Sequence, residues 1–327
     1  MNQGKSRFDF QLNKIENLIN TAKTQENPAL WLFQNEMRTP MFMLEALSKM
    51  YATWHDKKKF TALRNEFKAF EDILGAIDYY EAFRKEFAGN QKIPAPIKIF
   101  LDINVKQNTK KFNDLLITGK WLTGKGLKDI KDRLKAVDWE KEGNEVAFLK
   151  DFYQKQIQKI KTFVFDTDFL FKNVESDVHE LRRKLRWLSI YPHALQGAVV
   201  LQEDRPAAEN LKKYLTPDVI SSPYNKLPAP TDSKNVLILE TNHFFALSSM
   251  IAQLGKLKDN GLRISILKDA LQATSSLDDA SSLNKVYNLL GKDYPRLETL
   301  LSDASTLAKQ YFEENNLDRL VKSSNGK

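Results

Sequence analysis

Apolar side chains recur three and four residues apart along most of this chain of 327 residues. That spacing places them on one face of an α-helix, which has about 3.6 residues per turn. The pattern is clear around residues 60–80, where it comprises Leu63, Phe67, Phe70, Leu74 and Ile77. Twelve glycines and eleven prolines are too few for the many tight turns of an all-β protein. The sequence therefore predicts an all-α fold.

The same spacing predicts about ten helices and one short strand. We expect the helices near residues 10–22, 28–50, 60–87, 97–117, 127–137, 146–163, 174–190, 243–257, 263–271, 282–290 and 294–312, and the strand at 236–239. A helix with one apolar stripe buries it best against other helices, so we expect two bundles. Their expected bounds are residues 1–165 and 166–327.

The chain has a formal net charge of +8, and most of the excess lies in the middle of the sequence. Residues 92–186 contain 21 Lys and Arg residues against 14 Asp and Glu residues, a net charge of +7. A local cationic excess favours an anionic partner, such as nucleic acid, polyphosphate or an acidic surface. The alternative is that lysine-rich helices simply present a solvated charged face.

The absence of cysteine excludes disulfides and thiolate metal sites. The first twenty residues lack the apolar segment of a signal peptide, and no apolar run approaches the roughly 18 residues of a membrane helix. We therefore expect a cytoplasmic protein without a membrane partner. No nucleophile–base motif, metal-ligand cluster or cofactor motif stands out, so we expect a protein without catalytic activity, metal or cofactor.

The helix expected at residues 174–190 combines an apolar stripe with a basic face, and Ser176 is its expected N-cap. The apolar stripe is expected to face the core and consists of Val178, Leu181, Leu185 and Leu188. The basic face consists of His179, Arg182, Arg183 and Arg186. These groups repel one another unless an anion lies across them or acidic neighbours neutralise them. Arginine suits an anion because its planar guanidinium holds phosphate oxygens in pairs, and histidine adds a pH-sensitive donor.

The spacing of His179 and Arg182, with Arg186 one turn further, resembles the H-x-x-R helix of the CHAD family, the conserved-histidine α-helical domains. Ser189 stands where that family usually has another basic residue. In the first half of the chain, Arg38 matches the family's arginine. The other positions of that first motif hold Asn35 in place of the histidine, and Phe42 and Glu45 in place of basic residues.

Leu74 and Gly75, followed by Asp78, resemble the leucine–glycine segment of the same family. We expect the corresponding segment of the second half at Leu290 and Gly291, with an aspartate two residues later. The resemblance thus covers the general layout and about 40 residues of motif.

The resemblance implies two similar helical bundles, each like a four-helix bundle and packed side by side, whose H-x-x-R helices line a basic cavity. It also implies binding of inorganic polyphosphate rather than catalysis. The expected anion-binding residues are His179, Arg182, Arg183, Arg186, Arg38, Lys155 and Lys159, with Lys161 as a possible extension of the patch. Two other functions stay open. One is a structural or adaptor protein that has lost the ligand site. The other is nucleic-acid binding, by stacking of bases on the aromatic side chains that accompany the basic middle of the chain.

Overall fold

A computed structural model of the protein describes residues 3–139, 144–203, 206–230, 235–275 and 277–322. This part of the chain is mostly helical, with two short strands, which confirms the predicted all-α fold. Within it, no helix combines the length and the apolar character needed to cross a membrane.

The chain forms two compact units. The first unit consists of Met1–Glu142 with Ile266–Leu290, and the second of Gly143–Ser265 with Gly291–Lys327. Up to residue 142, the first unit contains α1 (Gln3–Ala22), α2 (Pro28–Gln34), α3 (Arg38–Trp54), α4 (Lys57–Ala88), α5 (Ala95–Thr118) and α6 (Lys125–Lys135). Its core forms mainly where α4 packs against α3 and α5.

The second unit begins with a long helix and continues with a π-helical turn. Its elements up to residue 240 are α7 (Glu145–Phe165), the π-helical turn (Val174–His179), α8 (Glu180–Ala194), β1 (Val199–Gln202), α9 (Glu209–Lys212), α10 (Pro217–Ser221), a 3-10 turn (Pro223–Asn225) and β2 (Leu237–Glu240). The chain then continues with α11 (Thr241–Thr274), α12 (Asp279–Leu290) and α13 (Leu297–Glu313). The division into units assigns the end of α11 and all of α12 to the first unit.

The division between the units differs from the boundary expected between residues 165 and 166. Helix α7 belongs to the second unit because it packs against α8. The hydroxyl of Tyr153 on α7 donates to the carbonyl oxygen of Leu188 on α8, at 3.2 Å. The rings of Phe152 and Tyr191 also meet edge to face between these helices, with their centroids 4.9 Å apart.

Helix α8 continues past Pro192, where the sequence predicted a stop or a kink near residue 190. Proline lacks an amide hydrogen and leaves the carbonyl four residues earlier, that of Leu188, without its helical partner. The Tyr153 hydroxyl donates to this same carbonyl, so the helix continues without a buried acceptor left unsatisfied. A side chain 35 residues earlier thus offsets the local cost of the proline.

Three further expectations differ from the structure. The helix expected at 28–50 is interrupted at residues 35–37, where Glu36 has a φ of 60°. The helices expected at 243–257 and 263–271 are one helix, α11. The strand expected at 236–239 is confirmed as β2, and it pairs in parallel with the unexpected β1, Val199 lying opposite Leu237.

Candidate anion-binding site

The π-helical turn that carries His179 is held at its start by two side chains. The Asn173 side-chain oxygen accepts from the amides of Glu175 and Ser176, at 2.8 and 3.0 Å. Asp177 accepts from the amides of Lys172 and Asn173, at 2.7 and 2.9 Å. The N-cap is therefore Asn173, and the prediction of Ser176 was wrong. Turns of π-helix are rare and occur often at functional sites.

The side of this helix that faces the core is the one the sequence predicted. The predicted stripe is buried in full and consists of Val178, Leu181, Leu185 and Leu188. Burial of this stripe orients α8 and turns the basic side chains toward α11 and toward solvent. Val174 also packs against α11, where a Cβ on Gly261 would lie 2.6 Å from a Val174 methyl group. Glycine at 261 therefore permits the close approach of the π-helical turn to α11.

Arg182 lies across α11 at Gly255. A Cβ on Gly255 would be 3.1 Å from Arg182 Nε and 3.6 Å from Nη2. Nε donates to the carbonyl oxygen of Ile251 at 3.2 Å. Within the described part of the chain, no carboxylate forms an ion pair with Arg182. Burial lowers the pKa of this guanidinium, and the charge of Asp259 opposes that shift.

His179 lies on the same side as Arg182 and contacts Glu175. His179 Nδ1 is 2.8 Å from a carboxylate oxygen of Glu175. This hydrogen bond lowers the pKa of Glu175, and the nearby charges of His179, Lys258 and Arg183 lower it further. The Glu175 side chain is 66% exposed, so it can rotate away from the imidazole into solvent at little cost.

Lys258 on α11 is a member of this group that the sequence reasoning missed. Its side chain is only 16% exposed, and its ammonium group is 2.7 Å from a carboxylate oxygen of Asp259, which is 62% exposed. The site therefore contains two largely buried cations, Arg182 and Lys258. Its two neutralising carboxylates, Glu175 and Asp259, are on the solvent side.

The remaining residues expected at the site are placed less favourably. Arg183 is exposed and pairs with Glu180 at 2.5 Å, and Arg186 is half buried one turn after Arg182. Lys155 and Lys159 lie on the exposed side of α7, and Lys155 pairs with its neighbour Asp151 at 2.6 Å. Their membership of the site stays a prediction. Lys161, the possible extension, pairs with Asp318 at 2.8 Å.

Arg38 of the first unit has a different environment. Its Nε and Nη2 donate to one carboxylate oxygen of Glu71, at 3.0 and 2.7 Å. Its Nη1 donates to Asp78 at 2.8 Å. The guanidinium lies against Gly75, where a Cβ would be 2.8 Å from Nη2. Arg38 is thus bound by carboxylates of its own unit.

The leucine–glycine segment expected at Leu290 and Gly291 lies in open surroundings. Gly291 follows α12 with a φ of 100°, and a Cβ there would meet no neighbour within 4 Å. In the second unit, the glycine that faces the arginine of the H-x-x-R helix is Gly255, which follows Leu254. The correspondence at 290–291 stays a prediction.

The aromatic side chains of the basic middle region are mostly part of the core. Trp121, Trp139, Phe112, Phe152 and Tyr153 are all buried. Buried rings cannot stack on bases, so this feature gives little support to single-stranded nucleic-acid binding.

Comparison of the chain with known proteins finds no match to a protein-family model, to a curated protein or to a solved structure.

Proposed function

We propose that the protein binds a phosphate-rich anion, with inorganic polyphosphate as the leading candidate, at the surface formed by His179, Arg182, Arg183 and Lys258. The observation that carries this proposal is the state of Arg182. A half-buried guanidinium has lost part of its hydration, yet its hydrogen bond is to a backbone carbonyl rather than to a carboxylate. Burying a charge without a direct ion pair costs stability, and binding of an external anion recovers part of that cost.

The neighbouring groups support the same ligand class. Arg182 offers the forked donor geometry that suits phosphate oxygens, and Lys258 adds a compact second charge. Glu175 and Asp259 shield these cations from solvent and are exposed enough to move aside when an anion enters. No reaction is part of the proposal, because the group contains donors and charges but no nucleophile paired with a base.

The test is a calorimetric titration of long-chain polyphosphate into the intact protein at several salt concentrations. Binding through Arg182, Arg183 and Lys258 neutralises about three phosphates, so affinity should fall about 20- to 40-fold between about 50 and 200 mM salt. The variant Arg182→Met with Lys258→Met should lose this binding. The charge-matched control, Lys212→Met with Lys309→Met at two exposed positions of the second unit, should keep most of it.

Three outcomes would contradict the proposal. Undetectable binding at low salt would favour a structural or adaptor role. Equal losses in the two double variants would indicate unspecific attraction to the net charge. Tighter binding of single-stranded RNA at an equal phosphate concentration would favour a nucleic-acid ligand.

A further inference from the structure

The two units place an arginine over a glycine in the same way. The residue immediately before Arg38 is buried, and so are the residues three, six and nine positions after it. These four residues are Met37, Met41, Leu44 and Leu47. The same offsets from Arg182 give four buried residues, namely Leu181, Leu185, Leu188 and Tyr191. Each arginine lies against a glycine that follows a buried leucine, Gly75 in one unit and Gly255 in the other.

The helices that carry these glycines also match in their buried positions. The residues five and eight before Gly75 are Phe70 and Phe67, and both are buried. The same offsets from Gly255 give Met250 and Leu247, which are buried as well. Within each unit, the arginine helix therefore crosses the glycine helix at an equivalent point.

The residues at two equivalent positions around the arginines differ in charge. Glu71 lies four residues before Gly75, and Asp78 lies three residues after it. Both carboxylates bind Arg38. The same offsets from Gly255 give Ile251 and Lys258. In the described part of the second unit, Arg182 donates to the backbone oxygen of Ile251 at the first of these positions, and a second cation, Lys258, occupies the other.

We infer that the first unit contains a second copy of the anion site, which the carboxylates of Glu71 and Asp78 occupy as an internal ligand. Glu71 is only 13% exposed and accepts two hydrogen bonds from Arg38, so it cannot rotate into solvent as Glu175 can. The first copy is therefore closed to external anions, and the native chain has one open site. This inference rests in part on the proposed function, because it takes a phosphate anion as the ligand of both copies.

The test replaces the internal ligand with the residues found at the same offsets in the second unit, as Glu71→Ile with Asp78→Lys. The probe is tripolyphosphate, titrated by calorimetry into the full chain. The variant should gain one binding site, and adding Arg38→Met should remove that site again. The control Asp72→Lys with Glu86→Ile makes the same change in charge on the same helix. The new site should be about tenfold tighter than any binding that the control gains.

The outcomes separate this inference from the proposed function. If the native chain binds one tripolyphosphate and the variant also binds one, the inference is wrong and the proposed function stands. If the native chain binds none and the variant gains a site that depends on Arg38, Glu71 and Asp78 do close a site in the first unit, but the native chain has no open site and the proposed function fails. If the double variant does not fold, Asp78→Lys alone can replace it, because Asp78 is 58% exposed. This single variant should still gain a weaker tripolyphosphate site that depends on Arg38. Absence of that gain also overturns the inference.

Discussion

The same substitution at the two equivalent arginines should have different effects on stability. In Arg38→Met, the carboxylate of Glu71 loses both of its hydrogen bonds to Arg38 while it stays only 13% exposed. Removing one partner of a fully buried pair costs about 3–5 kcal/mol. Arg38 and Asp78 are 33% and 58% exposed, so solvent screens part of this interaction. We expect the free energy of unfolding to fall by about 2–3 kcal/mol.

In Arg182→Met, two effects oppose each other. The variant loses a charged hydrogen bond to the Ile251 carbonyl, a contact worth about 1.5–3 kcal/mol. It also loses a guanidinium whose charge is disfavoured by burial, while methionine keeps most of the apolar contact of the side chain. We expect the free energy of unfolding to change by less than about 1 kcal/mol.

The assay is urea unfolding of the intact chain, followed by circular dichroism, with the slopes of the transitions compared between variants. Arg183→Met is the control, because its pair with Glu180 is exposed and should contribute less than about 0.5 kcal/mol. An Arg182→Met variant destabilised as much as Arg38→Met would refute the reasoning. Arg182 would then be a structural residue rather than one retained for an external ligand.

Three further predictions concern the frame around the site. Gly261→Ala should destabilise the protein by about 1–3 kcal/mol, although alanine has the better helix propensity, because the new methyl group would collide with the buried Val174 of the π-helical turn. A variant that is more stable to urea than the native protein would contradict this prediction. Tyr153→Phe should lower the free energy of unfolding by about 1–2 kcal/mol, because it leaves the Leu188 carbonyl unpaired. The loss should be smaller when Pro192→Ala is also present, since alanine restores an amide donor to that carbonyl, and an equal loss with and without Pro192→Ala would show that the Tyr153 hydroxyl does not replace this donor. Burial lowers the pKa of His243, so the unfolded chain binds the proton more readily, and the free energy of unfolding should fall as the pH drops below about 6.5. The variant His243→Leu should flatten this pH dependence, and an unchanged profile in the variant would refute the role of His243.

Local patterns in the sequence predict the helices and the stripe of α8 well, because both depend on spacing within one segment. The errors arise where a distant contact decides the outcome. Pro192 does not end α8 because Tyr153 replaces the missing donor. The Lys258-to-Gly261 segment resembles a turn, but it continues α11, where Gly261 accommodates Val174.

The site was predicted in part for the same reason. The H-x-x-R spacing identifies His179 and Arg182 within one helix. The partners of Arg38, Glu71 and Asp78, lie 33 and 40 residues away in sequence, and no local pattern connects them with it. One signal in the sequence could have identified Lys258. A leucine–glycine pair occurs at Leu254 and Gly255 as it does at Leu74 and Gly75, and Lys258 follows its glycine by three residues as Asp78 does.

We expect an external phosphate anion to bind at Arg182 and not at Arg38. The most direct test is a titration of the intact, ¹⁵N-arginine-labelled protein with tripolyphosphate, observed through the side-chain Nε–H signals and assigned with Arg182→Lys and Arg38→Lys. The Arg182 signal should shift progressively to saturation, while the signal of Arg38, which Glu71 binds, should stay in place. A shift of the Arg38 signal with Arg182 unmoved, or no shift in either, would contradict this expectation.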